Sequence, residues 1–241
     1  MSNDPRKNQT CLLEVIACTV EDAVEGMRGG ANRLEIISRF DVGGLTPPLD
    51  LVREIKAKVS LPLRVMLRES EGYRVSSETE IEKLCASARE LNEIGVDGVV
   101  LGFLRDDEID FELTKRVLAN APNLKATFHH AFEEAADKFF AIEKLKELAQ
   151  IDRILAHGGQ DVWVEKISRL GDYANAAQPE IKILAGGGID SRVISMIRAG
   201  TSVREFHVGS TARENGAVQT GRIVILVNAV NAIQEEERNY D

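Results

Sequence analysis

The chain has 241 residues, 44% of them hydrophobic and 29% charged, enough apolar material for a sizeable globular core. A formal charge of −9 argues against a general nucleic-acid surface, which needs a basic patch, although a local pocket can still offer cations to an anionic small molecule. No apolar run reaches the roughly 18–20 residues of a membrane helix, Met1–Thr10 lacks the apolar centre of a secretory signal, and the three cysteines (Cys11, Cys18, Cys85) have no close pairing motif. Free thiols in a reducing, cytoplasmic setting are therefore expected, with no membrane partner.

Taken in chain order, apolar runs alternate with segments of helical period. Strand Leu12–Ala17 precedes helix Glu21–Arg28, strand Arg33–Ser38 precedes helix Leu49–Lys58, and strand Leu63–Arg68 precedes helix Glu78–Ile94. In that third helix Ile81, Leu84, Cys85, Ala88 and Leu91 share one face. Strand Gly98–Leu104 then leads to helix Phe111–Leu118, strand Lys125–His130 to helix Lys138–Leu148, and strand Arg153–His157 to helix Val162–Leu170. Strand Lys182–Ala185 with helix Ser191–Arg198, and strand Glu205–Gly209 with helix Ile223–Ile233, complete the series. Ser76 or Ser77, Asp137, Asp161 and Asp190 suit helix starts, and Gly29-Gly30, Gly95 and Gly200 suit helix ends.

Strict alternation implies a parallel sheet with helical crossovers. An open doubly wound sheet uses the same parts, but this many units in one chain of this length favour closure. The expected fold class is α/β, a (β/α)8 TIM barrel, forming one domain over 1–241 with polar ends at 1–10 and 235–241.

In barrel strands, residues facing the axis alternate with residues facing the helices. That phase turns Glu14, Arg33, Glu35, Ile37, Arg64, Met66, Arg68, Thr127 and His129 inward. Unpaired buried charge is costly, so the recurring charges need partners or a task. The four histidines, His129, His130, His157 and His207, all fall near C-terminal strand ends, the face that carries chemistry in such barrels. Glu14, Glu35, His129 and His207 are thus candidate acid–base groups. Two readings of the acids stay open: site carboxylates, or structural partners of Arg64 and Arg68. Arg68 can clamp a carboxylate or phosphate with its fork, or pair with Glu35 or Glu14. His130, His157, Gly187, Gly188 and Ser210 are candidate substrate-binding residues. Gly186-Gly187-Gly188 and Gly209-Ser210-Thr211 either cradle a phosphate or serve turns that need positive φ. Glu133 and Glu134 read as exposed. Lys125 and Lys182 sit at strand starts, the wrong end for a Schiff base, and no nucleotide loop or nucleophile elbow is present.

Several segments together resemble the CutC family. They are Leu13-Glu14-Val15, Gly29-Gly30-Ala31-Asn32-Arg33-Leu34-Glu35, Gly43-Gly44-Leu45-Thr46-Pro47, Val65-Met66-Leu67-Arg68 and Thr127-Phe128-His129-His130-Ala131-Phe132. Gly158-Gly159, Gly186-Gly187-Gly188 and Arg204-Glu205-Phe206-His207 extend the likeness over nearly the whole chain. The resemblance implies a (β/α)8 barrel and a role in copper homeostasis, with copper as the implied ligand. Relative to the family pattern, Ile16 and Ile37 stand where cysteines are usual, His130 stands for arginine, Ala156-His157 for Thr-Ser, and Glu69-Ser70-Glu71-Gly72-Tyr73 for a Pro-Arg-Gly-Gly-Asp-Phe run. Soft thiolates suit Cu(I), which leaves Cys18 as the nearest thiol ligand. Two functions follow as expectations. One is metal handling through Cys18 or a His/Glu cluster, holding copper or a divalent metal. The other is an isomerase or lyase acting on a small anionic or sugar-like molecule. A homo-oligomer is an open third element.

Overall fold

The computed structural model of the protein describes residues 11–75 and 77–232. Ser76 as a helix start, Ile233 at the end of the eighth expected helix, and the ends 1–10 and 235–241 lie outside the described residues.

Eight parallel strands close into a barrel: β1 (Leu12–Ala17), β2 (Arg33–Ile36), β3 (Leu63–Met66), β4 (Gly98–Leu101), β5 (Lys125–Phe128), β6 (Ile151–Ala156), β7 (Lys182–Ala185) and β8 (Glu205–Val208). Each is followed by a helix: α1 (Val20–Arg28), α2 (Leu49–Lys58), α3 (Glu78–Ile94), α4 (Phe111–Leu118), α5 (Lys138–Lys146), α6 (Trp163–Ala177), α7 (Ser191–Gly200) and α8 (Thr220–Asn231). The fold is the (β/α)8 TIM barrel. β1 pairs with β2 on one side and β8 on the other, setting Glu14 beside Arg33 and His207.

Several expected boundaries shift. The run expected as Gly98–Leu104 breaks after Leu101, and Leu104–Arg105 instead forms a small hairpin with Glu108–Ile109. β6 begins two residues early, and α6 runs seven residues beyond the expected Leu170. Ser77, Asp137 and Asp190 cap their helices as expected, and Thr19 and Asp110 also accept from first-turn amides. Asp161 does not cap α6: it pairs with Arg169, and Val162 holds the cap position. Gly200 closes α7 from within, with Thr201 as its cap.

The inward and outward phases separate into two cores. Leu13, Val15, Ala17, Leu34, Val65, Val99, Ala126 and Phe128 pack outward against the helices in one continuous cluster. Ile37, Met66 and Val100, joined by Ile16 and Cys18, form a small second cluster inside the barrel mouth. Below that plug the interior is charged. Gly98 makes this arrangement possible, because a Cβ there would collide with the Arg64 guanidinium and the Lys125 carbonyl.

Candidate functional site

The charges inside the barrel form a continuous ladder. Near the strand starts, Asp152 holds Arg64 at 2.8 Å and Arg153 at 2.5 Å. Arg153 in turn meets Glu205 at 2.5 Å, and Glu205 also receives Lys182 at 3.2 Å. Arg33 reaches Glu205 at 3.8 Å and donates from Nε to Glu14 at 2.5 Å. Glu14 accepts from His207 Nδ1 at 2.8 Å, and His207 Nε2 stands 3.7 Å from Glu35. The ladder climbs from the base of the barrel to its mouth and ends on a histidine and a carboxyl.

The expected partners of the acids are thus corrected. Arg64 pairs with Asp152, and Glu14 pairs with Arg33. Arg68 pairs with neither Glu14 nor Glu35. Its Nε donates to the Gly72 carbonyl at 3.0 Å, and its Nη1 to the carbonyls of Val42 and Gly44 at 3.2 and 3.1 Å. The guanidinium also lies 5.0 Å from the Tyr73 ring centroid. It is only 9% exposed, has no carboxylate partner among the described residues, and its Nη2 has no hydrogen bond there.

The ladder's top opens into a cavity of about 190 Å³ lined by Glu35, Arg68, His129, His130, His207 and Ser210, with Gly187 and Gly188 on its rim. Ile16, Ile37, Met66, Phe40 and Tyr73 supply its apolar wall. Glu14 lies behind His207 and does not line the cavity, so it acts on the site through that imidazole. His157 is likewise set back: its ring stacks on His130 at 5.4 Å, and its Nδ1 meets the Gly159 backbone. Three of the four expected histidines therefore share the cavity.

Electrostatics divide these groups into two kinds. Burial works against the charge of Glu14, but the Arg33 guanidinium and the His207 imidazole outweigh it and hold the carboxyl well below the usual range. Burial raises Glu35 to about 7, with the Glu14 charge adding to the rise and His207 opposing it. Burial would strip the proton from His207, yet Glu35 and Glu14 outweigh it and raise its affinity for that proton. Burial lowers His129 and His130 to about 3, helped at His129 by Arg68 and at His130 by His207. Both rings are neutral at pH 7. His129 Nδ1 accepts from the Ala131 amide at 3.2 Å, so its proton sits on Nε2, which is buried without a partner. Glu35 Oε1 and His130 Nδ1 are buried and unpartnered too. These three orphaned atoms belong to side chains that line the one cavity, where a ligand could answer them.

Glu133, expected to be exposed, has a side chain only 7% accessible. Its Oε1 accepts from the amides of His157 and Gly158 at 2.6 and 2.9 Å and ties down that loop. Nothing in its sequence position signalled this, because the partners are backbone groups of a distant turn.

A metal finds little here. Among the described residues no group of three or more His, Cys, Asp or Glu side chains converges as ligands. Burial pushes the Cys18 thiol up, away from the thiolate that binds soft metals, and its Sγ lies 3.5 Å from Arg213 Nη2. The donor set does not fit a multi-ligand copper centre.

Residues 11–212 match the model of the CutC family. The human protein named copper homeostasis protein cutC homolog is 35% identical over 207 residues, covering 85% of this chain and 76% of its own length. The crystal structure of the putative copper homeostasis protein CutC from Streptococcus agalactiae superposes with a TM-score of 0.77 at 27% identity, covering 83% of this chain and 99% of that one. A phosphoribosyl anthranilate isomerase from Thermococcus kodakaraensis (TM-score 0.64, 13% identity, 92% of this chain and 100% of that one) shares the fold alone.

Proposed function

The chain belongs to the CutC family, and on that premise we propose for it a role in copper homeostasis, for which its human relative is named, and, as the alternative that the cavity suggests, an enzyme doing acid–base chemistry on a small anionic molecule at the barrel mouth. The observation that carries this reading is the meeting of two features in one cavity: the buried Arg68 with no carboxylate partner among the described residues, and the Glu35–His207 pair 3.7 Å apart. A buried guanidinium left unpaired is costly, and an incoming anion removes that cost. A carboxyl that releases its proton near pH 7 is suited to take and return one beside a carbonyl or hydroxyl. Glu35 is assigned as the base, His207 as the imidazolium that faces it, Glu14 as the group that positions His207, and His129 as a neutral donor. The reaction class is isomerisation or elimination next to a carbonyl.

The rest of the reading follows from the same frame. The protein is one domain working in the cytoplasm on a small molecule or metal ion rather than nucleic acid. No helix among the described residues is long and apolar enough to cross a membrane.

The test is a screen of sugar acids and sugar phosphates in deuterated water, followed by NMR for exchange at carbon. Exchange with the wild type that disappears in Glu35→Gln supports the assignment; exchange unchanged in Glu35→Gln and His129→Ala removes it. Direct copper capture is the second reading, favoured by the Cys18 and Met66 sulfurs bordering one cluster. Titration with Cu(I) against a competing chelator decides it: equal affinity in wild type and Cys18→Ser rules out the thiol.

A further inference from the structure

We propose that the cavity is built for a two-headed anion, a short phosphorylated hydroxy or keto acid, with its carboxylate on Arg68 and its phosphate on the backbone of the loops after β7 and β8. This rests on the reading of the mouth as an anion site and names the ligand class.

The strand order fixes the spacing of the two heads. In the closed ring β1-β8-β7-β6-β5-β4-β3-β2, β3 and β7 lie four strands apart in either direction, on opposite walls. Arg68 stands two residues beyond β3 and Gly187 two residues beyond β7. Glu35 on β2, His207 on β8 and His129 after β5 lie between those walls.

Each wall offers a different kind of donor. At Arg68, three carbonyls occupy Nε and Nη1 and fix the plane of the guanidinium, which leaves Nη2 for the ligand. The fork is half used, so it meets a carboxylate through one charge-assisted bond rather than the bidentate clamp that the sequence suggested. On the far wall, the Gly186 amide is spent on the Ala156 carbonyl at 2.9 Å. The next two amides, of Gly187 and Gly188, donate to nothing among the described residues, and neither does the amide or hydroxyl of Ser210. Gly187 and Gly188 carry φ of 82° and 76°, backbone conformations that glycine adopts without steric cost and that other residues rarely do. A Cβ at Gly188 would meet nothing within 4 Å, so packing does not demand glycine there and backbone direction does. Several neutral donors with no carboxylate among the lining residues of that wall suit a tetrahedral, multiply charged oxyanion.

The floor supplies the middle of the molecule. Among the described residues, His129 Nε2–H is a buried donor without an acceptor, and Glu35 Oε1 is a buried oxygen without a partner. A hydroxyl between the two heads satisfies both, accepting from His129 and donating to Glu35. The volume of about 190 Å³ is well below the roughly 300–1,000 Å³ of sites for drug-sized ligands, which restricts the chain to a few carbons and excludes a nucleotide.

Binding to the full chain, read by 31P and 1H NMR titration with inorganic phosphate, glycolate and 3-phosphoglycerate as probes, tests this. The expected result is that phosphate and glycolate bind together without displacing each other, and that 3-phosphoglycerate binds about 100-fold or more tighter than either, because the second head is delivered at high effective concentration. Arg68→Met should weaken glycolate about 10-fold and spare phosphate, and Ser210→Asp at the exposed rim should do the reverse. If phosphate and glycolate displace one another, both sit on Arg68; the two-headed inference falls while the anion site stands. If phosphate binding is indifferent to Ser210→Asp, the far wall is not its seat and the inference falls. If no probe binds, the anion reading and this inference fall together.

Discussion

His207 Nδ1 lies 2.8 Å from Glu14 Oε1 although 193 positions separate the two residues in the chain. The carboxylate only accepts, so the bond fixes the proton on Nδ1 and turns Nε2 toward Glu35. The contact also crosses the seam where the last strand meets the first.

Glu14→Gln removes one charge from the middle of the ladder. Arg33 then keeps only Glu205, at 3.8 Å, and His207 loses one of the two carboxylates that hold its proton. Breaking a buried pair from one side costs about 3–5 kcal/mol. Urea unfolding at pH 7 should show a loss of that order, and the His207 resonance should titrate at lower pH. Because the Glu14 carboxyl is depressed on folding, its contribution is present above the ordinary carboxylate range and disappears as pH falls through the folded value.

Glu35 works in the opposite direction. Its carboxyl releases the proton near 4.5 when unfolded and near 7 when folded, so between those values the folded state holds the extra proton. Stability in that window falls as pH rises, and His207, raised from 6.5, continues the fall above that value. Glu35→Gln should flatten the slope and gain on the wild type toward pH 7 by an amount on the order of a few kcal/mol. Unfolding curves taken from pH 4.5 to 8 check both sign and window; a wild-type slope no steeper than that of the variant removes the Glu35 assignment.

Arg68→Lys keeps the charge and loses the geometry. One ammonium cannot reach the carbonyls of Gly72, Val42 and Gly44 together, so the loops that contain them lose an anchor. We expect a stability loss of about 1–3 kcal/mol and faster hydrogen exchange confined to residues 39–46 and 69–75. Exchange unchanged in those loops would show that the guanidinium does not hold them.

Two glycine substitutions should separate the site from the scaffold. At Gly102 a Cβ would press on the His129 ring and Ala131, so Gly102→Ala should cost about 1–3 kcal/mol and displace His129. At Gly221, in the first turn of α8, a Cβ meets nothing within 4 Å, so Gly221→Ala should stabilise by about 0.4–1 kcal/mol. Thermal melts of the two variants should therefore move in opposite directions.

The barrel was legible because each strand reads as an alternation and each helix as a longer period. Glu14, Glu35, Arg33 and Arg64 declared themselves as charges in the inward phase of otherwise apolar strands. Their partners did not. Asp152 and Glu205 reach them only through the stagger of a closed sheet, and β5 and β6 carry a register shift between Ala126 and Thr127 that no local pattern announces. Arg68 was legible as an inward charge near the barrel mouth but not in its bonding. The carbonyls it meets are set by loop conformations around Gly43, Gly44 and Gly72, all with positive φ. Glu133 was missed for the same reason, since its partners are amides of a turn.

The ladder makes assembly an all-or-nothing event. Glu14 and Arg33 come from the first quarter of the chain, His207 and Glu205 from the last, and Arg64 waits for Asp152 from the second half. A half-barrel of four strands would leave stranded charges in its own interior, each seeking water. Fragments cut at the midpoint should therefore remain unfolded until mixed, which far-ultraviolet circular dichroism of each half alone and of the mixture checks.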